Sequence, residues 1–175
     1  MNKSNPMRRI RIEKVTVHFG AGSDQSKLEK GIEIFKMLFN KNPVKTHAKR
    51  RIQGWGIRPG LPIGLKLTFR GKEAQEVLKR LFLAINNRLS RSSFDREGNF
   101  GFGIKEYIDV PGSKYRPELG LLGFEVFVTL ERPGYRIKRR KIEKKRRIPL
   151  RHRITVEEAM EFVKNNFGIE IVDES

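Results

Sequence analysis

The cleanest periodicity in the chain lies between Ile63 and Arg70, where Ile63, Leu65, Leu67 and Phe69 alternate with Gly64, Lys66, Thr68 and Arg70. A strand sends successive side chains to opposite faces, so this stretch predicts a strand that is apolar on one face and basic on the other. Arg9 to Phe19 follows the same rule in two phases, Ile10 and Ile12 first, then Val15, Val17 and Phe19. The slip between Ile12 and Val15 predicts a bulge near Glu13 and leaves Arg11, Lys14, Thr16 and His18 for polar faces. Phe124, Val126, Val128 and Leu130 alternate with Glu125, Phe127, Thr129 and Glu131 in a further strand. Shorter strands are predicted from Val44 to Ala48 and from Ile104 to Val110.

Three stretches switch to helical spacing. Leu28, Ile32, Phe35 and Phe39 predict a helix from about Ser26 to Phe39, opened by a capping box of Ser26 and Glu29 and ended by Asn40, Asn42 and Pro43. Val77, Leu78, Leu81, Phe82 and Ile85 predict a second that ends around Asn87. A capping box of Thr155 and Glu158 opens the third, whose Val156, Ala159, Phe162 and Val163 face inward until Gly168. Arg88 to Gly103 has no apolar period and predicts irregular chain, as do the prolines and glycines from Pro111 to Gly123. The order strand, helix, two strands, helix, two strands, helix implies an α+β fold: one largely antiparallel sheet, helices packed on one face, and the other face open and basic.

Composition sharpens what that open face meets. The chain has 175 residues, which fits a single domain over 1–175, and carries a formal net charge of +18. So large a positive excess repels itself in a compact monomer and belongs beside a polyanion, nucleic acid first of all. An anionic membrane surface would call for a basic amphipathic helix, which these helices are not. No apolar run is long enough to cross a bilayer, Met1 to Ile10 has no apolar signal core, and cysteine is absent, so a soluble intracellular protein without disulfides or thiolate metal sites is expected.

Enzymatic motifs are missing. Gly20-Ala21-Gly22 precedes a helix as a dinucleotide loop would, but Gln25 stands where its third glycine belongs, so it is a turn. His18, His47 and His152 are far apart with no second ligand at metal or triad spacing, and the acids are scattered over helix surfaces. No catalytic residue, metal or cofactor is expected.

Basic and aromatic residues concentrate instead in three places. An arm at 49–61 carries Lys49, Arg50, Arg51 and Arg58 with the only tryptophan, Trp55, between Gly54 and Gly56. Its glycines and prolines forbid a regular element, so it stands exposed, and Trp55 either stacks on RNA or folds back on Ile57 and Leu61. Gly98-Asn99-Phe100-Gly101-Phe102-Gly103 is similar to the aromatic-glycine strand of RNA-recognition modules, which leaves Phe94 and Phe100 to stack on bases or to pack in the core. The insertion at 132–153 holds twelve Lys or Arg against one acid, Glu143. With no core stripe, it is expected to become ordered only against phosphate.

Four colinear motifs resemble one known family over almost the whole chain: R-I-E-K-V-T-V-H-F-G-A-G from Arg11, K-N-P-V-K-T-H-A-K from Lys41, P-I-G-L-K-L-T-F-R-G from Pro62, and S-F-D-R-E-G-N-F-G-F-G-I-K-E from Ser93. They resemble the universal large-subunit ribosomal protein five family, the 5S ribosomal RNA-binding proteins of the central protuberance. The basic insertion and the closing helix from Thr155 resemble its archaeal and eukaryotic branch. The resemblance implies a structural constituent of cytoplasmic ribosomes whose open sheet face grips 5S ribosomal RNA within the large-subunit RNA. Contacts are implied at His18, Lys41, Thr68 and Phe94, with Arg11, Lys14, Lys66, Arg70 and Asn99 beside them. It also implies that Lys49, Arg50, Arg51, Trp55 and Arg58 of the arm reach the peptidyl-site tRNA, and that neighbouring ribosomal proteins include one of the small-subunit head, forming a bridge between subunits. His18 and Lys41 stand where the family often has Asn and Gln.

Overall fold

The computed structural model describes residues 5–172. Its elements run β1 (Arg11–Gly20), α1 (Gln25–Phe39), β2 (Val44–His47), β3 (Pro62–Phe69), α2 (Gly71–Ala84), β4 (Arg88–Ser90), β5 (Phe100–Ile104), β6 (Phe124–Glu131), α3 (Val156–Phe167) and β7 (Glu170–Val172). Five strands form one antiparallel sheet in the order β2-β3-β1-β6-β5, and β4 and β7 make a separate two-stranded parallel pair. The expected bulge is present: the β1–β6 register shifts between Ile12 and Lys14.

The apolar phase of each strand turns to the helices. Val15, Val17 and Phe19 of β1, Leu65, Leu67 and Phe69 of β3 and Phe124, Val126, Val128 and Leu130 of β6 are buried in one core with Leu28, Ile34, Phe35 and Leu38 of α1 and Leu78, Leu81 and Phe82 of α2. Aromatic edges lock this layer, with Phe35 meeting Phe39 and Phe124 at centroid distances of 5.8 Å and near-perpendicular planes. Gly31 sets how closely α1 lies on the sheet, because a Cβ there would come within 2.8 Å of the Phe19 ring.

Three expectations are corrected and one open choice is resolved. The residue that caps α1 is Asp24, whose carboxylate accepts from the Lys27 amide at 3.2 Å, so the Ser26 and Glu29 pair is not the cap; a carboxylate also suits the positive end of the helix. Arg88 to Gly103 is not irregular throughout, since it contains β4 and most of β5. Conversely, the strand expected over Ile104 to Val110 ends at Ile104, and Tyr107–Asp109 is a 3₁₀ turn. Gly101 and Gly103 hide the alternation of Phe100, Phe102 and Ile104, because glycine gives no polar signal on the opposite face. Finally, Phe100 does not stack outward: it is 3% exposed, parallel to Phe82 at 6.2 Å, with Phe94 laid against it at 5.1 Å.

The third helix has the predicted capping box of Thr155 and Glu158 and a left-handed Gly168 at its end. Burial alone would raise the Glu158 pKa, but the Thr155 amide and the Arg132 guanidinium outweigh it and hold the carboxyl below its ordinary 4.5. A depressed folded-state pKa contributes stability that is fully present above the unfolded value and is lost as pH falls through the folded one. Glu158→Gln should therefore be less stable than wild type at neutral pH, with the gap in urea midpoint closing as pH falls below 4.5. A gap that does not vary with pH would show that the charge on Glu158 contributes nothing.

Candidate nucleic-acid interface

With α1 and α2 on one side, the other side of the sheet is open except at its Glu13–Glu131 end, where the insertion lies over it. Registers place its side chains in rows across the strands: Val44, Lys66, His18, Glu125 and Gly103 in one, and Thr68, Thr16, Phe127 and Gly101 in the next, with Lys14 beside Thr129 beyond them. Lys66 and Thr68 are exposed, and neither Lys66 nor Lys14 has an acidic partner among the described residues. His18 Nδ1 lies 3.4 Å from the Glu125 carboxylate. Hydroxyls and cations in neighbouring rows offer hydrogen bonds to sugar and phosphate oxygens.

The bulge gathers a second cluster at one end of this face. Glu13, with its side chain 10% exposed, accepts from Arg70 at 3.2 Å and from Arg139. Glu131 pairs with Arg11 at 2.7 Å and with the same Arg139. Arg11 and Arg70 are each more than half exposed, so one flank of each guanidinium faces solvent while the carboxylates fix its position.

Arg139 belongs to the insertion, which is more ordered than a charge run predicts. A 3₁₀ turn at Tyr135–Lys138 and another at Leu150–His152 shape it, Ile148 and Arg132 are buried, and Lys138 pairs with Glu97 at 3.0 Å. Carboxylates of the sheet, Glu13 and Glu131, meet Arg139 of this segment directly. Lys145, Arg146 and Arg147 nevertheless have no acidic partner among the described residues.

The arm is corrected too. Rather than lacking regular structure, it closes on itself: Ile52 and Ile57 exchange backbone hydrogen bonds of 3.0 and 3.1 Å around a 3₁₀ turn at Gln53–Trp55, with Gly56 left-handed at φ 66°. Ala48 and Leu61 pair at its base. Ile57 is buried while Trp55 is 70% exposed, so the indole does not fold back on Ile57 and Leu61. Lys49, Arg50, Arg51 and Arg58 surround it, exposed and without acidic partners among the described residues.

Not every expected site residue joins these surfaces. Lys41 lies on the helix side, bound to Glu73 at 2.6 Å and 5.3 Å from the centre of the Phe69 ring. The amide of Asn99 is engaged within the protein, its nitrogen donating to Asp95 and its oxygen accepting from the Leu130 amide. Phe94 is half-buried against the core. Conversely, sequence reasoning misses Thr16, Phe127 and the Lys145–Arg147 row as site residues, although the alternation over 124–131 puts an aromatic ring on a polar face. Among the described residues no cluster of three His, Asp or Glu side chains is placed to hold a metal, and no helix is long and apolar enough to cross a membrane.

Comparison with known proteins settles the ancestry of this arrangement. The family model of ribosomal protein L5 matches residues 5–58, and the model of the C-terminal part of the same ribosomal family matches residues 62–162. The chain belongs to the ribosomal L5 family. Large ribosomal subunit protein uL5 of Nanoarchaeum equitans is 51% identical to it over 96% of this chain and 99% of the relative. The proteins of that name from Sulfurisphaera tokodaii and Methanobrevibacter smithii are 48% and 42% identical, each over 97% of this chain and over 96% and 99% of their own lengths. This ribosomal L5 family protein is thus of the archaeal type and has a structural, non-catalytic role in the ribosome. The two family models part between residues 58 and 62, at the returning leg of the arm.

Proposed function

We propose that this protein is a constituent of the large subunit of the cytoplasmic ribosome that binds 5S ribosomal RNA on its open sheet face and helps attach it in the central protuberance. The observation that carries this reading is the open surface on which Lys14, Lys66, Arg11 and Arg70 surround Thr16, Thr68 and His18. Phosphate contacts from these cations supply most of the affinity, and the shape of the folded RNA supplies the selectivity. The arm, with Trp55 at its tip and Lys49, Arg50, Arg51 and Arg58 around it, contacts the peptidyl-site tRNA. Family kinship supports a further contact with a protein of the small-subunit head, as part of a bridge between subunits.

A filter-binding titration against 5S ribosomal RNA, with tRNA and duplex DNA as competitors, tests the main claim. Neither competitor should displace 5S ribosomal RNA at comparable concentration, and equal affinity for all three would reduce the protein to a nonspecific polycation. Replacing 49–58 with a short Gly-Ser turn should leave the 5S complex at wild-type affinity while weakening tRNA retention by reconstituted ribosomes. Loss of the 5S complex on that replacement would refute the division of labour.

A further inference from the structure

Among the described residues Phe127 is the one large apolar ring on the open face of the five-stranded sheet, and it is 47% exposed amid threonines, cations and glycines. In the register it lies between Thr16 and Gly101, and the ring leans over Gly101 so closely that a Cβ there would come 2.9 Å from its Cδ1. Beside the ring is a hollow of about 400 Å³, lined also by Ser93, Asp95, Asn99 and Thr129. Asn99 and Thr129 line a second cavity as well, of about 530 Å³, whose far wall is the insertion with Lys145, Arg146 and Arg147. A π-face and a row of cations without acidic partners among the described residues thus open side by side. A protein partner seeking apolar area would find a single ring here rather than a patch, whereas an RNA strand finds both of its recurring features answered, a base plane and phosphates.

We infer that Phe127 and the insertion cleft form one site for an unstacked nucleotide of single-stranded RNA, with its base on the Phe127 ring and the adjoining phosphates against Lys145, Arg146 and Arg147. The inference rests on the RNA-binding reading above and adds to it a strand conformation and named residues. Asp95 accepts from the Glu97 and Asn99 amides and from the Asn99 side chain, so the hollow keeps few free polar groups for base edges. The site is therefore tolerant of base identity, as stacking platforms are.

The test is a fluorescence anisotropy titration of the full chain with a short oligoadenylate, an RNA duplex of the same length, and 5S ribosomal RNA. Phe127→Leu, which keeps apolar bulk but removes the π-face, should weaken oligoadenylate binding by roughly five- to a hundredfold with an unchanged salt slope, while Phe127→Trp retains wild-type affinity. Lys145→Ala/Arg146→Ala/Arg147→Ala should lower the magnitude of the salt slope by about 2, since each phosphate contact on single strands contributes about 0.7. Wild-type affinity in Phe127→Leu, equal behaviour of the Leu and Trp variants, or a wild-type chain that prefers the duplex would each overturn the site. If the wild type still binds 5S ribosomal RNA in that case, the functional reading stands without it; failure of the wild type on 5S ribosomal RNA would overturn both.

Discussion

Raising monovalent salt from about 50 to about 200 mM should weaken the complex with 5S ribosomal RNA by about 10³- to 10⁵-fold, the loss that accompanies six to ten neutralised phosphates. The count follows from which cations are free. Lys14 and Lys66 on the sheet and Lys145, Arg146 and Arg147 on the insertion have no acidic partner among the described residues, and Arg11 and Arg70 are held by carboxylates but remain more than half exposed. Each counterion released on binding adds to the slope of log affinity against log salt. Lys14→Ala/Lys66→Ala should therefore reduce the magnitude of that slope by about 1.5 and weaken binding at every salt concentration below the crossover. Thr68→Val, on the same strand face, should weaken binding without altering the slope, because a hydroxyl neutralises no phosphate. The measurement is a set of binding isotherms at several salt concentrations. A flat salt dependence would mean that the net charge of +18 is directed at something other than phosphate.

The same contrast between charge that faces solvent and charge that is engaged explains which features were legible in the sequence. Ile63 to Arg70 declared both its conformation and its exposed basic side, since every second position carries an apolar residue and the others are polar or glycine. The bulge near Glu13 was legible as a phase slip, yet its consequence was not. Doubling two residues on the outer face brings Glu13 within reach of Arg70 and Arg139, which are 57 and 126 positions away along the chain. Strands β4 and β7 are three residues each and pair across about 80 positions in parallel, so neither carries a local signal. In the arm, Gly54 and Gly56 concealed the pairing of Ile52 with Ile57, whereas Trp55 could be assigned to solvent only once Ile57 was seen to occupy the interior in its place. Lys41 and Asn99 show the limit of reading site residues by type, since a cation and an amide on basic or turn-rich segments turn out to have intramolecular partners.

The charge run at 132–153 is the instructive case, and Arg132→Met should destabilise the protein by about 3 kcal/mol, a large share of a typical total of about 5–15 kcal/mol. Of the twelve cations there, Arg132 is the one fully enclosed, at 1% exposure. Its guanidinium donates to the carbonyls of His152 and Arg153 at 3.3 and 3.1 Å and to Glu158 at 2.7 Å, joining the end of β6, the exit of the insertion and the first turn of α3. Methionine fills much of the volume but leaves the Arg153 carbonyl without its donor, the His152 carbonyl with the Tyr135 hydroxyl alone, and a carboxylate without its cation, and unmet buried groups cost about 1–3 kcal/mol each. The Glu158 side chain is 36% exposed and can be rehydrated, which holds the total toward the lower end of what a broken buried pair costs. Arg132→Lys should lie between, because a single ammonium cannot span all three acceptors. Urea unfolding with an unchanged m-value measures the loss, and a cost below about 1 kcal/mol would show that the guanidinium is not what fastens the insertion. The consequence extends to binding. Freed at its exit, the insertion would no longer hold Lys145, Arg146 and Arg147 beside the sheet, so amides from 135 to 153 should lose hydrogen-exchange protection and the magnitude of the salt slope for RNA should fall, although no phosphate-facing residue has been changed.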